Sequence, residues 1–119
     1  MDEWKKICVT NDYTVKEVVE VLEGLSERCV LIVDDKYKVQ GLMSQGDIIR
    51  ALSRNISIFS RIEGLYSTSF IYLNERDMKK AFEIFKQRNI TMLPIITHDF
   101  VLQGVITVRE ILSNSTMNY

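Results

Sequence analysis

Two short strings in this chain place a hydroxyl three residues ahead of a carboxylate: Ser44-Gln-Gly-Asp47 and Thr107-Val-Arg-Glu110. Each follows a glycine-bearing apolar run (Val39–Met43, Val101–Ile106) and precedes apolar residues at helical spacing. A Ser or Thr at a helix N-cap accepts the N–H of the third helical residue, and an acid there reaches back to the N-cap N–H. Both strings therefore satisfy a helix start with no ligand at all. Asp is one methylene shorter than Glu, so the reach-back is expected to suit Glu110 and to leave Asp47 the freer carboxylate. Arg50 and Arg109 fall within a helical turn of these acids.

Other chemistry-bearing residues are sparse. His98 is the one histidine, in the polar string Thr97-His98-Asp99, which reads as an exposed turn. Cys8 and Cys29 form no CxxC pair and read as reduced core residues. Asp34-Asp35 lacks the spacing of a calcium loop and reads as a turn. Nothing matches the phosphate-loop, dinucleotide, zinc-protease or nucleophile-elbow patterns. The inventory therefore points to no catalytic residue, no metal site and no required cofactor.

Composition narrows the partners. Fifteen basic against sixteen acidic residues offer no basic stripe for nucleic acid. The longest apolar runs, Cys29–Val33 and Met92–Ile96, are five residues each, where a membrane span needs about twenty. The acidic start, Met1-Asp2-Glu3-Trp4, leads into no signal-like run, and a cytoplasmic location is expected. At 119 residues and 46% hydrophobic, the chain suits one compact globular module.

An internal repeat must position the two strings. A shift of 63 residues lays Ile7–Ile49 on Phe70–Leu112 without a gap. Seven of the 43 pairs are identical, among them Gly41/Gly104 and Ile48/Ile111. Eighteen pairs are apolar on both sides, where about nine would arise by chance, so burial is kept while residues diverge.

Each copy reads β-α-β-β-α. Thr14 with Glu17 opens the first helix, and Val15, Val18, Val19, Leu22 and Leu25 recur at helical spacing before and after Gly24. Asp77 opens its counterpart, with Met78, Ala81, Phe82 and Phe85 as the expected core stripe. The runs Cys29–Val33 and Met92–Ile96 each pair with the following glycine-bearing run as a hairpin, and Ile7–Val9 or Phe70–Leu73 supplies a leading strand. The boundaries expected are 5–54 for the first repeat, 55–69 for the connection, 70–113 for the second repeat and 114–119 for a frayed tail. Ile56, Ile58, Phe59, Ile62 and Leu65 make the connection too apolar for a free tether, so it is expected to dock as a helical turn. Trp4 is expected to pack where the N-terminal segment meets the core. Fifty residues bury too little to fold comfortably alone. The fold class is thus α/β (α+β), two repeats packed through their sheets with pseudo-two-fold symmetry and clefts between them.

These residues resemble a tandem pair of cystathionine β-synthase (CBS) domains, a Bateman module. Cys29-Val-Leu-Ile-Val-Asp34 with Gly41-Leu-Met-Ser44-Gln-Gly-Asp47-Ile-Ile is similar to the family's β-run followed by glycine, two apolar residues, Ser or Thr, and Asp three further on. Ile90-Thr-Met-Leu-Pro94-Ile-Ile with Gly104-Val-Ile-Thr107-Val-Arg-Glu110-Ile-Leu keeps the family's proline, which the first copy replaces by Leu31, and has Glu in place of Asp. The stretch Gly46–Leu52 further resembles CBS pairs attached to sugar-phosphate nucleotidyltransferases. The resemblance implies a regulatory module that binds an adenosine-containing ligand (AMP, ADP, ATP, S-adenosylmethionine) between the repeats and controls an attached or partner enzyme. It also implies the roles. Asp47 grips ribose hydroxyls and Ser44 contacts phosphate, with Arg50 adding charge; Thr107, Glu110 and Arg109 form a weaker second site. The alternative is a ligand-free module that only dimerises its parent. A homodimer is expected through Ile48, Ile49, Leu52, Ile111 and Leu112.

Overall fold

The computed structural model describes residues 3–117. They form two compact units that part between Phe70 and Ile71.

In the first unit a 3-10 helix, Glu3–Ile7, leads into strand β1 (Cys8–Val9), helix α1 (Val15–Glu23), strands β2 (Cys29–Val33) and β3 (Val39–Ser44), and helix α2 (Gln45–Ser53). The sheet order is β1-β2-β3, with β1 parallel and β3 antiparallel to β2. All five residues of β2 are buried, which explains its unbroken apolar run, whereas β3 alternates. Thr14 and Glu17 make the expected reciprocal cap on α1, with bonds of 3.1 and 2.9 Å. That helix buries Val15, Val18 and Leu22. Trp4, partly buried, meets Tyr37 edge to face at 5.6 Å between ring centroids.

The connection departs from its expected form. It contains turns and no helix, and of its five large apolar residues only Ile62 is buried, while Phe59 is 69% exposed. Backbone bonds dock it instead of an apolar face. Lys16 N–H donates to Ile58 O, Val15 N–H to Ser60 O, and Ile62 N–H to Tyr13 O, all between 2.8 and 2.9 Å. Further on, Leu42 and Ser67 exchange bonds of 2.9 and 3.0 Å, laying the chain along the outer edge of β3. Gly41 makes room for it. A Cβ at that position would lie 2.3 Å from the Tyr66 ring and 2.6 Å from Ser67 O.

In the second unit, α3 (Met78–Gln87), β4 (Met92–Ile96), β5 (Leu102–Thr107) and α4 (Val108–Met117) follow in order. The two hairpins match residue for residue at the 63-residue shift. Cys29 faces Ser44 as Met92 faces Thr107, and each register slips at the same place, Ile32/Val33 and Ile95/Ile96. Tyr37 and Phe100, also matched, both take positive φ in the hairpin turns, at 62° and 64°.

Three expectations need correction here. Phe70–Leu73 makes no strand, only a single parallel bridge from Leu73 to Ile95. Phe82 is 44% exposed, because a face centred on the buried Ala81 takes in Ile84, Met78 and Phe85 and leaves Phe82 at its margin, beneath Lys86 Nζ at 5.5 Å. Helix α4 runs to Met117, into the segment expected to fray, while residues 118–119 of that segment lie outside the described residues. Among the described residues no helix is long and apolar enough to cross a membrane.

Candidate functional site

At the head of α2 the hairpin delivers Ser44 as the last residue of β3 and the N-cap of the helix. Asp47 N–H donates to Ser44 Oγ at 3.3 Å, and Asp47 Oδ2 accepts the Ser44 N–H at 2.8 Å and its hydroxyl at 3.1 Å. The shorter acid therefore does reach back, contrary to the expectation from side-chain length. The N-cap backbone is extended at Ser44 (ψ 168°) as at Thr14 (ψ 163°), and from the third helical position Asp47 reaches the N-cap N–H as Glu17 does. The second oxygen, Oδ1, accepts Arg50 Nη2 at 2.5 Å. Asp47 is 17% exposed at its side chain and Arg50 is 62% exposed.

This cluster borders a cavity of about 210 Å³ within the first unit. Asp47, Arg50, Ala51 and Arg54 of the α2 region form one wall, and Gly64–Ser67 the other. Tyr66 is fixed there by its hydroxyl, which donates to Asn11 Oδ1 at 2.7 Å. The wall thus combines one carboxylate with two guanidinium groups a helical turn apart, an arrangement suited to a ligand with both hydroxyls and negative charge. Arg54 was not singled out by sequence reasoning, although its spacing of four from Arg50 was there to read.

The matched residues of the second unit differ. Thr107 Oγ1 accepts the Glu110 N–H at 3.0 Å, so the hydroxyl half of the cap is present. The Glu110 carboxylate, expected to cap its own helix or crowd a ribose, pairs with Arg76, which also donates to Val105 O. Arg76 precedes α3 and lies 34 residues earlier, so no local pattern pointed to it. Arg109 is exposed.

The remaining candidates behave as ordinary structure. His98 is exposed in its turn. Cys29 is buried, and burial pushes the Cys8 thiol up to about 11, against the opposing pull of Lys5, so at neutral pH it is a protonated thiol and no nucleophile. Asp34 accepts the N–H groups of Lys36 and Lys38 at 2.9 Å, which lowers its pKa below the usual carboxylate value, led by the Lys38 bond. Among the described residues no group of three His, Cys, Asp or Glu side chains is placed to hold a metal.

Known proteins resemble this chain in sequence and fold. Inosine-5'-monophosphate dehydrogenase of Aquifex aeolicus is 28% identical over 110 residues, 88% of this chain. The chain spans about a fifth of the length of such curated relatives (21%). In structure, the AcuB protein of Vibrio cholerae superposes with a TM-score of 0.81 at 23% identity, covering 93% of this chain and 83% of that one. The CBS domain pair of protein MJ0100, solved with 5-methylthioadenosine and S-adenosyl-L-methionine, superposes at 0.74 and 22% identity, covering 95% and 90%. The sequence model of the CBS domain matches twice, over residues 4–54 and 63–116, and with the duplicated hairpin register this makes the chain a tandem member of the CBS domain family.

Proposed function

We propose that this CBS pair is a cytoplasmic regulatory module that binds an adenosine-containing nucleotide at Ser44 and Asp47 and passes its occupancy to an attached or partner enzyme. The observation that carries the reading is the Asp47 carboxylate, held by Ser44 and lining a cavity together with two arginines. A carboxylate so placed accepts both hydroxyls of a ribose, each a charge-assisted bond, while Ser44 and the arginines meet the phosphate. The MJ0100 pair, of the same fold, was solved with two adenosine derivatives, which supports the ligand class. The second site, at Thr107, Arg109 and Glu110, is the weaker one because Glu110 is already engaged by Arg76. Binding favours one conformation of the module over another, and the regulated protein responds to that shift.

Thermal unfolding against a panel of AMP, ADP, ATP and S-adenosylmethionine tests the reading. A ligand at 100 times its Kd should stabilise the fold by about 2.7 kcal/mol. In titration calorimetry Asp47→Ala should weaken that ligand roughly ten- to a hundredfold, from the loss of about 1.5–3 kcal/mol of charged acceptor. A flat panel would leave the second reading, a ligand-free dimerisation module. That alternative draws on the complete capping box, which accounts for Ser44 and Asp47 without any ligand.

A further inference from the structure

We propose that Arg50 competes with the ligand for Asp47 as well as binding its phosphate, and that this double duty makes the site select phosphorylated nucleosides over bare ones. The inference rests on the nucleotide reading above. Asp47 has one oxygen committed to Ser44, so a ribose must be gripped chiefly through Oδ1, and Oδ1 is the atom that holds Arg50 Nη2 at 2.5 Å. The guanidinium also covers the approach. A Cβ at Gly46 would meet Arg50 Nη1 at 3.5 Å and Nη2 at 3.7 Å, so the group lies across the first turn of α2.

The arginine thus stands beside Gly46 and on Oδ1, where a ligand's hydroxyls would go. Its side chain is 62% exposed, so water can take over its hydrogen bonds when it leaves Asp47. Arg76, which pairs with the equivalent acid in the second unit, has a second tether in Val105 O.

Displacing Arg50 breaks an ion pair. A nucleoside gives the arginine nothing in exchange, whereas a phosphate offers a two-pronged acceptor matched to its fork, with Arg54 one turn further along the same cavity. One residue thus penalises the unphosphorylated ligand and favours the phosphorylated one.

Titration calorimetry of the whole chain with adenosine, AMP and ATP, on the wild type, Arg50→Gln, Arg50→Lys and Asp47→Ala, tests this. Arg50→Gln should bind adenosine up to about fivefold more tightly, since an exposed pair is removed. The same variant should bind AMP and ATP about tenfold more weakly, since a charged donor is lost. Arg50→Lys should fall between, keeping the charge without the fork. An Arg50 variant that weakens or spares all three ligands alike, with Asp47→Ala still weakening them, overturns the competitor role and leaves the nucleotide site standing. A wild type that binds none of the three, or an Asp47→Ala indistinguishable from it, overturns both.

Discussion

Asp47 and Glu110 occupy equivalent positions yet spend their charge differently, one within its own helix and one on Arg76. The pairing of Glu110 is half exposed, with side chains 49% and 34% accessible, so it is screened by water. Glu110→Ala should cost less than about 1 kcal/mol in urea unfolding and leave nucleotide affinity within a factor of about two. A tenfold affinity loss would instead show a working second site. Cys8 gives a pH signature. Burial raises its pKa from 9.0 to about 11, so the fold favours the neutral thiol. Its contribution is complete below pH 9.0 and is lost as pH rises from there toward about 11, where the unfolded thiol ionises first. Thermal unfolding from pH 8 to 11 should therefore fall less steeply in Cys8→Val than in the wild type. The hydroxyls of Ser44 and Thr107 were legible from spacing alone, because an N-cap bond is local. The partner of Glu110 was not, since it lies on a distant loop, and side-chain length alone was a poor guide to the reach of Asp47.

Among the elements, the hairpins show how much a burial pattern encodes. Both doubly buried strands, Cys29–Val33 and Met92–Ile96, coincide with the apolar runs read from sequence, because a strand covered on both faces has no polar position to confuse it. The matched glycines within the partner strands looked equivalent in sequence and are not. Gly41 lies beneath Tyr66 and Ser67, while a Cβ at Gly104 would find its nearest contact, the Ile95 side chain, at 3.8 Å. Gly41→Ala should therefore destabilise by about 1–3 kcal/mol, since backbone as well as ring must move. Gly104→Ala should change stability by less than about 1 kcal/mol. Parallel urea titrations of the two variants check the contrast, and equal losses would show that the strap on β3 is not what demands the glycine. That demand was invisible in sequence because the covering residues, Tyr66 and Ser67, lie far downstream of Gly41. At the head of α1, Thr14→Ala should cost about 0.5–2 kcal/mol by removing the Thr14–Glu17 cap, read from the same unfolding experiment.

For the whole molecule, the proposed homodimer must be redrawn. Ile48 and Ile111, expected to face a partner, are buried at 5% and 8% exposure, Ile111 in the core cluster of the second unit with Ala81, Leu93 and Ile106. Ile49, Leu52 and Leu112 remain 61%, 41% and 60% exposed and are the residues on which a second copy would pack. Ile49→Glu should then leave thermal stability nearly unchanged and lower the sedimenting mass from dimer to monomer. A wild-type chain that sediments only at 13.9 kDa at micromolar concentration would remove the dimer. One feature of the first unit reaches further. The strap that ends in Tyr66 and Ser67 closes the edge of β3, although the 63-residue period assigns those residues to the stretch before the second copy. The segment that repeats in sequence and the segment that folds as a unit therefore have different boundaries. A chimera spliced between 54 and 66 would graft a repeat without its cover and leave β3 open to pairing with a neighbour, while one spliced at Phe70 would carry the cover with it. Recombination among such genes should accordingly leave viable joints after the strap and few within it.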